Sequence, residues 1–312
     1  MSTNQPDTQL SAAGPPPPPT DAPEDDAPRL RRRRRPVSVG RGSAHALTYL
    51  LLLAGAVVTL APLLLPVMTA LKTNRQFATE SPLALPDPLT LENFRALFGD
   101  GANFWVPIAV TVQMVAVLVA GQLVASILAA YAFATLEFRG RETLFWCYLA
   151  TLMVPAVVTI IPLYTMMTLA DLKNTFAGLV VPFVLGSPYA VFLLRQNFRS
   201  MPRELLDAAT LDGAGVLRRL WSVVLPMNRP IVVTLLLITV VTQWNSFLWP
   251  SIIAPRPEWH VLTTATSAMQ TQYDDRVVLV MAAAVVAMSP LIVLFLIFQR
   301  HITRAIGVGA GR

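Results

Sequence analysis

Side chains able to do chemistry are scarce in this 312-residue chain, and their spacing excludes most catalysis. The three histidines, His45, His260 and His301, stand far apart at segment ends and form neither an HExxH nor a Cys/His metal pattern. The single cysteine, Cys147, lies in an apolar run and excludes an internal disulfide. A nucleotide-binding loop needs Gly-Lys-[Ser/Thr], so that backbone N–H groups and the lysine cradle phosphates. The two lysines, Lys72 and Lys173, each follow a leucine instead. What remains is a polar stretch between two apolar ones, Asp207 to Pro226, reading DAATLDGAGVLRRLWSVVLP. It has the small residues, flanking carboxylates and turn glycine of a folded docking element. Its chemistry is therefore mechanical: a stiff hairpin on a soluble face, pushed by a partner.

The elements that position this hairpin follow from composition. The chain is 54% hydrophobic and 13% charged, about half the charge of a soluble domain, so it lacks the polar surface of a water-soluble globule. Six apolar segments, about 46–71, 105–134, 144–169, 176–195, 228–254 and 277–299, are each long enough to cross a bilayer. The expected fold is all-α: a polytopic membrane protein of six transmembrane helices with a cytosolic hairpin. Pro62, Pro66, Pro155, Pro162, Pro182 and Pro188 are expected to kink or break these helices.

Charge fixes the orientation. With the N-terminus in the cytosol, all but six of the 24 Lys and Arg residues fall inside, the exceptions being Lys72, Arg75, Arg95, Lys173, Arg256 and Arg276. Both termini are then cytosolic. Residues 1–42 form a Pro/Arg-rich tail expected to be disordered. Its Arg31–Arg35 run reads as an anchor to anionic lipid, not a nucleic-acid site. Nor does it head a cleaved signal peptide: the apolar stretch after it is too long, with no small-residue cleavage site. Residues 43–300 form the transmembrane domain, with the hairpin at 199–226, and 301–312 a cytosolic C-terminal tail. Outside, a short helix is expected over Leu91–Leu97 with Thr90 as cap. This loop and that from Pro255 to Arg276 are platforms for an extracytoplasmic partner or covers for the span ends.

Within the hairpin, Pro202 suits a first helical position and Glu204 complements the helix dipole. Gly213 suits the left-handed turn that closes a helix. Leu205, Ala208, Ala209 and Asp212 share one face, and the alanines let another surface approach the backbone closely. A second short helix is expected over about Val216–Val224, ending at Leu225-Pro226.

Asp207-Ala208-Ala209, then Gly213, Val223, Leu225 and Pro226 resemble the EAA loop of binding-protein-dependent ABC importer permeases. The gaps of three, nine and one residues match that loop at every step, with Asp207 in place of Glu and Val223 in place of Ile. Gln243-Trp244-Asn245-Ser246-Phe247-Leu248-Trp249-Pro250 is similar to a fifth-span stretch of the carbohydrate-uptake-1 branch, the maltose and glycerol-3-phosphate type. The end of the chain, Gln299-Arg300-His301 through Gly307-Val308-Gly309-Ala310, is similar to that branch's terminal segment.

The resemblance implies a transport subunit working with a second permease, two cytosolic ATPase subunits that bind ATP and Mg, and an extracytoplasmic solute-binding protein. This chain itself then holds no cofactor and no catalytic residue. Glu204, Asp207, Ala208, Ala209, Asp212, Gly213, Leu225 and Pro226 are the ATPase-coupling residues it implies. A sugar path needs hydrogen-bonding groups and aromatic faces at mid-membrane, where buried polarity is costly unless used. Gln113, Gln122, Tyr164, Tyr189, Gln243, Trp244 and Asn245 are the candidates, each with interhelical bonding or packing as its plainer role. A glycerol-3-phosphate or other polyol-phosphate importer is the alternative. A secondary transporter would need inverted repeats and intramembrane carboxylates, neither of which is present; a membrane scaffold that recruits a cytosolic protein is the third reading.

Overall fold

The structure, a computed structural model, describes residues 40–99, 102–273 and 276–307, without the side chains of 40–44 and 300–307. The proline and arginine runs of the tail and Val308 to Ala310 lie outside the described residues. By internal contacts the chain divides at Ala54/Gly55, inside its first helix.

The regular elements among the described residues are all helices. In chain order the helices are α1 (Gly40–Ala70), α2 (Asn74–Thr79), α3 (Glu92–Phe98), α4 (Trp105–Thr135), α5 (Arg141–Ala150), α6 (Ala156–Leu169), α7 (Phe176–Val180), α8 (Pro188–Arg199), α9 (Arg203–Leu211) and α10 (Val216–Arg219). After a π turn at Leu220–Val224 come α11 (Leu225–Met227), α12 (Arg229–Trp244), α13 (Leu248–Ile253), α14 (Leu262–Gln272) and α15 (Val277–Gly307).

Among the described residues, four stretches are long and apolar enough to cross a membrane: His45–Ala70, Trp105–Thr135, Arg229–Ile253 and Val277–Gln299. The other two expected spans are bent pairs. Arg141–Met153 and Ala156–Leu169 meet at 98°, and Phe176–Phe183 and Pro188–Arg199 at 40°. The breaks fall at Pro155 and Pro188, whose rings cannot continue a helical hydrogen-bond ladder. Pro62, Pro66 and Pro162 sit inside α1 and α6 without ending them.

Helix α4 is the spine of the unit from Gly55 onward. Its first half packs with α7, α13, α14 and α15 around Met114, Leu118, Leu179, Trp249 and Leu262. Its second half packs with α5, α8, the π turn and α12 around Ala130, Tyr131, Phe145, Leu194 and Leu220. Gly121 lies between the two halves. A Cβ there would collide with the Val184 carbonyl oxygen, so only glycine permits this approach of α4 to the break before α8.

That break exposes backbone polar groups in an apolar setting, and three side chains satisfy them. Gln122 donates to the Phe183 carbonyl at 2.7 Å, Ser126 Oγ accepts from the Ser187 N–H at 3.1 Å, and the Tyr148 hydroxyl donates to the Gly186 carbonyl. The segment after α1 is secured similarly. Asn93 donates to the Ala70 and Lys72 carbonyls at 2.7 and 2.8 Å, while the buried Lys72 ammonium donates to the Ser81 carbonyl at 3.0 Å. The helix expected at Leu91–Leu97 begins one residue later, at Glu92. Its N-cap is therefore Leu91 and not the expected Thr90, whose hydroxyl accepts from the Glu92 N–H at 3.1 Å one position further out.

Candidate functional site

The hairpin forms with two departures from the sequence reading. Pro202 stands outside α9 as its N-cap, with ψ at 126°, instead of filling the first helical position. The second arm does not stop at Leu225-Pro226. Pro226 offers no N–H, and the turns before it widen into the π segment, which leads through α11 and Asn228 into α12. The hairpin is thus continuous with the following span.

The end of α9 is a Schellman turn. The Ala214 N–H donates to the Ala209 carbonyl at 2.9 Å and the Gly213 N–H to the Thr210 carbonyl at 3.0 Å, with Gly213 at φ 75°. Across the turn, Arg219 Nη1 donates to Thr210 Oγ1 at 2.8 Å. Asn228 closes the base, donating to the Val224 carbonyl at 2.8 Å and to Met201 Sδ at 2.9 Å.

One side of this hairpin seats on its own protein. Leu206, Leu220 and Val224 join the core around α4, α5 and α8. Other apolar side chains of the hairpin are open: Leu211 is 90% exposed, Trp221 63% and Leu217 61%, with Leu205 at 40%. Glu204, Asp207, Ala208 and Asp212 are exposed on α9 with them, and Ala209 is half-buried. Covering one such leucine contributes about 1.5–3 kcal/mol, so a partner surface gains several kcal/mol here. Leu225 and Pro226 lie in the second arm, where Leu225 packs against the core.

Beside the hairpin lies an ion pair, buried on its arginine side, that the sequence reading did not single out. Arg195, 2% exposed on α8, lies 2.5 Å from the Glu142 carboxylate at the start of α5. Its Nε donates to the Phe133 carbonyl of α4 at 3.1 Å, and its guanidinium stacks 3.9 Å from the Phe145 ring centre. Arg141 and Arg199 approach the same carboxylate at 3.6 and 3.9 Å. The available signal was the basic residue inside a mostly apolar segment, which needs a partner when buried.

The seven candidate path residues divide into groups. Gln122, Tyr189 and Gln243 line one cavity of about 490 Å³ beside the break before α8, together with Thr239 and Thr242. Trp244 and Asn245 line a second cavity of about 420 Å³ with Thr263, Thr266 and Gln270. Trp244 is also a core residue, 9% exposed, whose indole donates to the Ala287 carbonyl at 3.0 Å. Asn245 donates to the Val241 carbonyl at 2.8 Å. Tyr164 accepts a 2.7 Å bond from Lys173, and Gln113 is exposed on α4. No group of three or more His, Cys, Asp or Glu side chains with metal-holding geometry occurs among the described residues.

Residues 121–308 match the family model described as "Binding-protein-dependent transport system inner membrane component". The chain is 31% identical over 274 residues to the diacetylchitobiose uptake system permease protein NgcG of Streptomyces coelicolor, covering 86% of this chain and 89% of that protein. It is 30% identical over 269 residues to the sn-glycerol-3-phosphate transport system permease protein UgpE of Yersinia pestis, covering 83% and 94%. It is 28% identical over 256 residues to the arabinooligosaccharides transport system permease protein AraQ of Halalkalibacterium halodurans, covering 81% and 91%. The fold matches a chain in the crystal structure of a bacterial ABC transporter involved in the import of the acidic polysaccharide alginate. The TM-score is 0.73 at 22% identity, over 84% of this chain and 98% of that one. With its helical spans and its hairpin on one face, this chain belongs to the binding-protein-dependent transport system inner membrane components: it is a multi-pass inner-membrane permease of an ABC importer, whose ATPase activity resides in partner subunits.

Proposed function

We propose that this permease carries a sugar or oligosaccharide, and that α9 is the helix through which ATP-driven motion reaches its spans. The observation that carries the coupling reading is the two-sided hairpin. Leu206, Leu220 and Val224 fasten one side to the core, while Leu205, Leu211, Leu217 and Trp221 leave an apolar edge open beside Asp207 and Asp212. A cytosolic ATPase subunit that closes on ATP and Mg would push on this edge. Arg195 and Glu142 would pass the displacement to α4 and α5.

The partners in this reading are a second permease, two ATPase subunits and an extracytoplasmic binding protein, all in or against the inner membrane. The alginate transporter with a similar fold is described in complex with a pentasaccharide-bound periplasmic protein, which supports the last of these. The distribution of Lys and Arg supports cytosolic termini. Residues 1–42 and 301–312 are then tails on a permease domain spanning 43–300, with α15 continuing to Gly307.

The sugar reading is supported by relatives named for arabinooligosaccharides and diacetylchitobiose. It is supported also by the neutral polar lining of the cavity at Gln122, Tyr189, Thr239, Thr242 and Gln243. Amide and hydroxyl groups there suit sugar hydroxyls. Glycerol-3-phosphate is the second reading, supported by the UgpE relative. That cavity's lining contains no lysine or arginine to balance a phosphate, which favours a neutral ligand. Reconstitution with its ATPase and binding protein tests the proposal: sugar must stimulate both ATP hydrolysis and uptake. Stimulation by glycerol-3-phosphate alone selects the second reading.

A further inference from the structure

A polar cavity between the base of α4 and the hairpin has no part in the proposed transport route. It holds about 350 Å³ and is lined by Arg141, Arg199, Arg203 and Arg219, with Glu137 and Asp207. These arginines come from α5, α8, α9 and α10, so four separate elements converge on it. Its apolar wall includes Tyr131 and Phe198, 3% and 2% exposed, beside which charge is screened less than at an open surface.

The arginines are only partly used. Arg141 donates to the Leu136 carbonyl at 3.0 Å, and Arg141 and Arg199 reach Glu142 only at 3.6 and 3.9 Å. Among the described residues, Arg203, Glu137 and Asp207 have no ion pair within 4 Å. Arg219 commits Nη1 to Thr210, while its Nε is buried without a partner, the one such side-chain atom among the described residues. Folded proteins leave few buried donors unmade. That Nε is closed to solvent, so the cavity's call for an anion rests on its lining, four arginines against two carboxylates. Guanidinium forks fit phosphate oxygens in pairs, and a tetrahedral anion presents oxygens to several walls at once, as a planar carboxylate does not.

We propose that this cavity binds a phosphate group, either a free phosphate or the headgroup of an anionic phospholipid. Bound there, it joins α9 and α10 to the bases of α5 and α8 and stiffens the hairpin against its seat. The site does not depend on which subunit meets the open edge of α9.

The test uses the assembled importer in phosphatidylcholine nanodiscs and follows its thermal unfolding midpoint. One arm titrates inorganic phosphate against chloride at equal ionic strength. The other adds phosphatidylglycerol to the nanodiscs without phosphate. The wild type should unfold at higher temperature in one arm. Arg199→Gln or Arg219→Gln should weaken the apparent affinity, or the lipid dependence, by roughly tenfold. A response to inorganic phosphate identifies a free anion, and a response to phosphatidylglycerol alone identifies the lipid. No shift in either arm, or a shift unchanged in both variants, overturns the proposal. If Arg219→Gln fails to assemble, Arg199→Gln decides alone.

Discussion

Arg195 on α8 and Glu142 on α5 are 2.5 Å apart, and the first is almost fully buried while the second is half exposed. They join the helix that leads into the hairpin to the helix that begins the bent third span. Three residues, Ser200 to Pro202, separate Arg199 at the end of α8 from the start of α9. In the proposed coupling, displacement of α9 would act on α5 through this pair, and on α4 through the Arg195 bond to the Phe133 carbonyl.

Glu142→Gln should strand part of that buried charge. Removing one partner of a fully buried pair costs about 3–5 kcal/mol, and the exposure of Glu142 reduces this to about 1–3 kcal/mol. The variant should unfold at lower temperature and hydrolyse more ATP per sugar imported. Unchanged stability and unchanged stoichiometry would remove the pair from the coupling route.

Gly213→Val places a β-branched residue at φ 75°, a strain of about 1–2 kcal/mol borne by the turn alone. No atom lies within 4 Å of the added Cβ, so the effect is conformational and not steric. Membrane insertion should persist while ATP hydrolysis and uptake separate. Wild-type uptake per ATP would show that this turn transmits nothing.

Tyr189→Ala and Gln243→Ala alter a cavity wall, whereas Trp244→Ala removes a core indole and its bond to Ala287. The first two should lower sugar uptake several-fold with assembly retained. The third should cost about 3–5 kcal/mol of stability, seen as loss of assembled complex. Wild-type transport in both cavity variants would move the sugar path elsewhere.

Gly121→Val should fail more severely than either, because its side chain meets the Val184 backbone and forces α4 away from the break before α8. Retained folding at wild-type yield would show that this approach is not required.

The parts of this fold legible in sequence are those written by local rules. Six apolar segments, the breaks at Pro155 and Pro188 and the Gly213 turn each follow from chain-local physics and have their counterpart in the structure, whereas Pro62, Pro66 and Pro162, expected to kink or break their helices, lie inside them. Two local details were misread. Pro202 is a cap, and Pro226 sits in α11 directly after a π turn, which a one-dimensional pattern does not signal. Long-range pairings were not legible. Glu142 and Arg195 are 53 residues apart, and nothing in either neighbourhood names the other. Likewise Gln122, Tyr189 and Gln243 share a cavity only because Gly121 lets α4 lie against the broken fourth span.

The central claim is that the open edge of α9 meets a nucleotide-hydrolysing subunit, and cross-linking tests it most directly. In a Cys147→Ser background, Ala208→Cys or Leu211→Cys should cross-link to cysteines placed in the ATPase of the assembled importer, with a yield that changes on ATP binding. No cross-link from either position, or labelling of both from the extracytoplasmic side, would contradict the account.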